Sequence, residues 1–90
     1  MDINIKIASA LQDHFHLPDT ATVQGTTVGE CLKALVGAYP GLEKQLFESP
    51  GRLKKTVEIY LNLQSTYPEE LAKVTEDGDV LHITLMLAGG

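Results

Sequence analysis

Thr27-Val28-Gly29-Glu30-Cys31-Leu32-Lys33-Ala34-Leu35-Val36-Gly37-Ala38-Tyr39-Pro40-Gly41 is the stretch on which the fold turns. Thr27 followed three residues later by Glu30 is a capping box, in which each side chain satisfies a backbone N–H at a helix start. Beyond it, Val28, Cys31, Leu32, Leu35 and Val36 share one helical face, and Lys33 points away from it. Pro40 disfavours helical angles at Tyr39, so Tyr39-Pro40-Gly41 stops the helix. One main helix can cover only one face of a small sheet, which predicts a two-layer α+β domain.

On the N-terminal side, Ile3, Ile5 and Ile7 alternate with Asn4 and Lys6, the period of a strand with one buried face. Leu11, Phe15 and Leu17 are expected to pack, Pro18-Asp19 marks a turn, and Ala21 to Gln24 forms a short second strand. The two strands suggest an antiparallel hairpin with a long loop. On the C-terminal side, Leu42, Leu46 and Phe47 suggest one or two more helical turns, and Ser49-Pro50-Gly51 is a turn. Thr56 to Leu63 reads as a third strand, with Val57, Ile59 and Leu61 on one face and Glu58, Tyr60 and Asn62 on the other. Pro68-Glu69-Glu70-Leu71 reads as a short helical turn with Pro68 in first position. Glu76-Asp77-Gly78-Asp79 is a tight turn leading into a last strand, Val80 to Met86. There Leu81, Ile83 and Leu85 are expected to face the helix. Val80, His82, Thr84 and Met86 face the side without a helix layer, and that side, together with Tyr60, is expected to be a partner-binding surface.

The chain then ends on Leu87-Ala88-Gly89-Gly90. Without Cβ atoms the two glycines present almost no bulk, and four extended residues reach roughly 13 Å. Such a tail can thread a narrow tunnel and deliver the Gly90 carboxylate to chemistry inside a partner. The expected organisation is a domain over residues 1–86 and a flexible tail over 87–90. A diglycine alone is a weak signal and draws its weight from its surroundings.

Ninety residues, 43% hydrophobic and 21% charged, suit one compact domain. No secretory or membrane-spanning run is present, and one cysteine excludes an internal disulfide, which together favour the cytoplasm. The net charge of −5 argues against nucleic acid as a partner. Cys31 is expected to be a small buried hydrophobe rather than a reactive thiol. His14, His16 and His82 lack further ligands nearby, so no metal site is expected. Arg52, Lys54 and Lys55 form a basic cluster read as a solvated edge. Asp77 and Asp79 are read as turn chemistry. No nucleophile–base pair marks a free-standing enzyme.

Three segments resemble the MoaD/ThiS family of ubiquitin-like sulfur carriers, which have a β-grasp fold. Thr27-Val28-Gly29-Glu30 with Leu32, Leu35 and Tyr39-Pro40-Gly41-Leu42 is similar to the family's helix and its stop. Asp77-Gly78-Asp79 is similar to the turn before its final strand, and Leu87-Ala88-Gly89-Gly90 to its terminal Ala-Gly-Gly. The resemblance implies a mixed sheet of four to five strands on one main helix. Pro50-Gly51-Arg52-Leu53 followed by Val57-Glu58-Ile59-Tyr60-Leu61-Asn62 looks most like the branch serving cysteine or homocysteine synthesis, with molybdopterin or thiamin as the next pathways. Leu63 to Thr75 departs from the family's usual polar turn.

The resemblance further implies a carrier rather than an enzyme, with no bound cofactor. An E1-like enzyme would use ATP to adenylate Gly90, a sulfur donor would displace AMP to leave a thiocarboxylate, and a biosynthetic synthase would take the sulfur. The chain could also sit as the small subunit of a sulfur-transfer enzyme complex. Two alternatives stand beside this reading: a ubiquitin-like covalent modifier, whose acyl group ends on a lysine, and a non-covalent interaction domain with an accidental diglycine.

Overall fold

The structure, a computed structural model, describes residues 2–9, 11–12 and 17–85. Strand β1 (Asp2–Ile7) and strand β2 (Thr20–Gln24) run antiparallel, with Ile3 opposite Val23 and Ile5 opposite Ala21. Helix α1 (Val28–Ala38) follows, then a 3-10 turn (Pro40–Leu42), a single turn α2 (Glu43–Leu46), and a small hairpin of β3 (Phe47–Ser49) and β4 (Arg52–Leu53). Strand β5 (Val57–Leu61), the two-residue β6 (Gln64–Ser65), a 3-10 turn (Glu70–Ala72) and β7 (Val80–Leu85) complete the order. The main sheet has five strands in the order β2-β1-β7-β5-β6. The β1–β7 pair is parallel and the others antiparallel, so the last strand lies at the centre. This is a mixed sheet with α1 packed across one face, the arrangement of a β-grasp fold.

The core follows from the two periodicities. Ile3, Ile5 and Ile7 of β1, Val57 and Ile59 of β5, and Leu81 and Ile83 of β7 are buried against Val28, Cys31, Leu32 and Leu35 of α1. Val36 packs half-buried at its edge, while Leu42 and Leu46 close it from the segment after the helix. Leu11 and Leu17 are also buried; Phe15 lies outside the described residues, as do His14 and His16.

The helix start is capped on one side as the spacing predicts: the Glu30 N–H donates to Thr27 Oγ1 at 3.1 Å. The reciprocal contact falls one residue earlier than a strict capping box. Glu30 Oε1 accepts from the backbone N–H and the hydroxyl of Thr26, each at 2.8 Å. The first helical N–H, of Val28, is taken by the Lys73 carbonyl at 2.9 Å, because residues around Val74 bridge antiparallel to Thr27. A segment remote in sequence thus satisfies one of the helix's orphan donors.

Four local expectations are corrected. The third strand ends at Leu61, not Leu63: Asn62 (φ 50°) and Leu63 (φ 70°) adopt left-handed angles and turn the chain into β6. Phe47 begins β3 rather than extending the helical turn, since its φ and ψ are extended. The 3-10 turn covers Glu70–Ala72, so Pro68 precedes it instead of opening it. Leu85 is 37% exposed, although it shares a face with Leu81 and Ile83. The register explains why: Ile83 is flanked by Ile7 and Ile59, whereas Leu85 pairs only with Val57, because β1 ends at Ile7.

Candidate functional site

The tail Leu87-Ala88-Gly89-Gly90, and Met86 before it, lie outside the described residues. What is described is the strand that carries them. β7 is hydrogen-bonded on both sides, and its start is tied down by the turn before it. Asp79 N–H donates to the Glu76 carbonyl at 3.0 Å, and Asp79 Oδ2 accepts from Glu76 N–H at 2.7 Å. Gly78 sits at φ 86°, the left-handed region where a Cβ would be strained. Asp77 Oδ1 accepts from the Asp2 N–H at 2.7 Å, joining the turn to β1. Asn62 spans the remaining gap: its Nδ2 donates to Asp79 Oδ1 at 3.0 Å and its Oδ1 accepts from Val80 N–H at 3.0 Å. Asp77 and Asp79 therefore serve as turn chemistry, and together these contacts set the register of the strand that leads to the tail.

On the face of β7 away from α1, Val80, His82 and Thr84 are each half-buried, as is Tyr60 on β5. That face is less open than a missing helix layer suggests, because cross-strand neighbours cover it. Register places Tyr60 directly opposite His82 and Glu58 opposite Thr84, whose hydroxyl donates to the Glu58 carbonyl at 3.0 Å. Four of the five residues expected on this surface therefore share one sheet face; Met86 is outside the description. Lys6 was not among them. It is the register partner of His82 on the β1 side and is exposed. Its alternation with Ile5 and Ile7, which puts it on the outer face, was the available signal, but which strand would adjoin β1 was not readable locally.

The remaining candidates carry little chemistry. Cys31 is fully buried beside Thr75 Oγ1 at 3.9 Å, and burial pushes its thiol pKa up, which disfavours the reactive thiolate. Arg52 pairs with Glu48 at 3.4 Å on the surface. With Lys54 and Lys55 it lines an open groove of about 980 Å³ that Glu69 and Glu70 also line, so its cations meet acids of the same chain. No group of three or more His, Cys, Asp or Glu among the described residues could hold a metal ion. No described helix is long and apolar enough to cross a membrane.

No protein-family model matches the chain. Individual proteins do. The sulfur carrier protein CysO of Mycobacterium tuberculosis is 30% identical over 93 aligned residues that cover the whole of both chains. The crystal structure of CysO from that organism superposes with a TM-score of 0.83 at 27% identity, covering 94% of this chain and 99% of that one. The crystal structure of SAMP1 from Haloferax volcanii superposes with a TM-score of 0.85 at 29% identity, covering all of both chains. With its mixed sheet, the helix α1 packed on it and this end-to-end similarity, the chain belongs to the MoaD/ThiS family of ubiquitin-like sulfur carrier proteins.

Proposed function

We propose that the Gly90 carboxylate is the sulfur-bearing group of this carrier. A carboxylate is a poor electrophile and its oxygen a poor leaving group. An E1-like enzyme joins it to AMP from ATP, releasing pyrophosphate. A sulfide equivalent then attacks the acyl carbon, AMP leaves with the bonding pair, and a thiocarboxylate remains. A synthase that builds a sulfur-containing amino acid, of the cysteine, homocysteine or methionine type, consumes that sulfur. The chain supplies no general base. It supplies a handle: the β7 strand fixed at the centre of the sheet, and the face of Val80, His82, Thr84, Met86 and Tyr60 on which the partners dock. The observation that carries this reading is the 30% identity, across the whole chain, with a protein named as a sulfur carrier. The test is ATP–pyrophosphate exchange by the E1-like enzyme of the same organism, with the chain as acceptor. Exchange is expected with the intact chain and lost on deletion of Gly90. Undiminished exchange with the deletion variant refutes the assignment.

A second reading, a covalent protein modifier, draws support from the likeness to SAMP1, the small archaeal modifier protein 1. It uses the same adenylate but ends in an isopeptide bond to a lysine. Conjugates that depend on Gly90 and resist thiol reduction would favour it.

A further inference from the structure

The outer sheet face is largely satisfied by its own side chains. Thr22 donates to Asn4 Oδ1 at 2.9 Å, Gln24 donates to Asp2 Oδ1, Ser65 donates to Glu58 Oε1 at 3.3 Å, and Thr84 donates to the Glu58 carbonyl at 3.0 Å. One cross-strand row is the exception. Lys6, His82 and Tyr60 lie side by side on the three central strands, in direct register. Among the described residues the Lys6 ammonium has no ion pair or hydrogen bond, and neither does the Tyr60 hydroxyl. Nδ1 of His82 is buried without a partner. A buried ring nitrogen without a hydrogen bond is a cost that structures seldom carry without reason. Lys6 and Tyr60 each bring N–H or O–H donors, and Lys6 is a full positive charge on a chain of net charge −5.

We propose that this row receives a carboxylate side chain from the surface of the E1-like activating enzyme. A carboxylate is an acceptor with two oxygens, suited to a lysine and a tyrosine at once, and a charge-assisted contact is the stronger kind. On an acidic chain, an unpaired cation at the centre of the docking face sets where an acidic partner group can approach without repulsion. The row thus fixes the orientation in which the sheet lands, with β7 and the tail that follows it aimed at the enzyme's active site. This inference rests on the sulfur-carrier reading and adds to it Lys6 and the chemistry of the partner's side of the interface.

The test is the ATP–pyrophosphate exchange rate of the E1-like enzyme as a function of carrier concentration, for the wild type, Lys6→Met, Lys6→Arg and Tyr60→Phe, with melting temperatures confirming that each variant folds. Lys6→Met is expected to raise the KM for the carrier about tenfold, the loss of one charge-assisted contact, with kcat unchanged. Lys6→Arg is expected to restore most of it, and the difference between wild type and Lys6→Met is expected to shrink as salt is added. An unchanged KM in Lys6→Met and Tyr60→Phe, with the wild type active, overturns the proposal and leaves the carrier reading standing. A raised KM for ATP instead of for the carrier also overturns it, by assigning the row to a nucleotide phosphate. A wild type that supports no exchange overturns both.

Discussion

Replacing Gly25 by alanine should destabilise the fold from one crowded point. Gly25 follows β2 and precedes the cap of α1. A Cβ added there would stand 2.7 Å from Cys31 Sγ, 2.9 Å from Cys31 N and 3.2 Å from Cys31 Cα. Two of those three atoms are backbone in the first turn of α1, so rotating the thiol away relieves only one contact. Overpacking of this kind costs about 1–3 kcal/mol. Alanine recovers about 0.4–1 kcal/mol by restricting the unfolded chain. The balance is a loss of about 1–2 kcal/mol, a fall in Tm of roughly 5–15 °C for a domain of this size. Thermal melts by circular dichroism, supported by urea titration, read it directly. The pairing with Cys31→Ala sharpens the test. In a double-mutant cycle the Gly25→Ala penalty should be smaller on the Cys31→Ala background, because Sγ is gone, yet not vanish, because the backbone contacts remain. A Gly25→Ala protein as stable as the wild type, or a penalty wholly abolished by Cys31→Ala, would refute the reasoning.

Three other outcomes are expected. Hydrogen bonds from the Thr26 backbone N–H and then its hydroxyl hold the Glu30 pKa below its ordinary value of 4.5. Glu30 thus contributes stability that is fully present above that ordinary value and is lost as pH falls through the lowered one; Glu30→Gln should flatten that part of an acid-stability profile measured by urea midpoints. Ile83→Ala should cost about 2–5 kcal/mol, as a large core side chain does, and Leu85→Ala well under half of that, since Ile83 is 2% exposed and Leu85 37%; equal losses in denaturation would contradict the register. Gly90→Ala should slow adenylation without changing the melting temperature, because a Cβ crowds the reacting carbonyl; unaltered exchange kinetics would count against a tight tunnel.

The helix and its face were legible because Thr27, Glu30 and the i, i+3, i+4 spacing from Val28 are local signals. The strands were legible because Ile3-Ile5-Ile7 and Val57-Ile59-Leu61 alternate. Asp77 and Asp79 read correctly as turn residues because Gly78 between them requires a left-handed backbone. Three kinds of feature were not readable. The turn at Asn62-Leu63 places a bulky leucine at a positive φ, against its own preference. The satisfaction of Val28 N–H by Lys73 joins residues remote in sequence. The partnership of Lys6 with His82 depends on β1 and β7 becoming neighbours, a choice made by the whole sheet rather than by either strand. For the candidate site, the outer face of β7 and the place of Tyr60 on it were legible from alternation, the place of Lys6 beside His82 was not, and the tail, read from its two glycines and from the family resemblance, lies outside the described residues.

The most direct measurement of the central claim is the intact mass of the chain after incubation with its E1-like enzyme, ATP and sulfide, followed by fragmentation. The account predicts one oxygen replaced by one sulfur, located at Gly90. An unchanged mass from an enzyme shown to be active, or a sulfur located anywhere but Gly90, would contradict it.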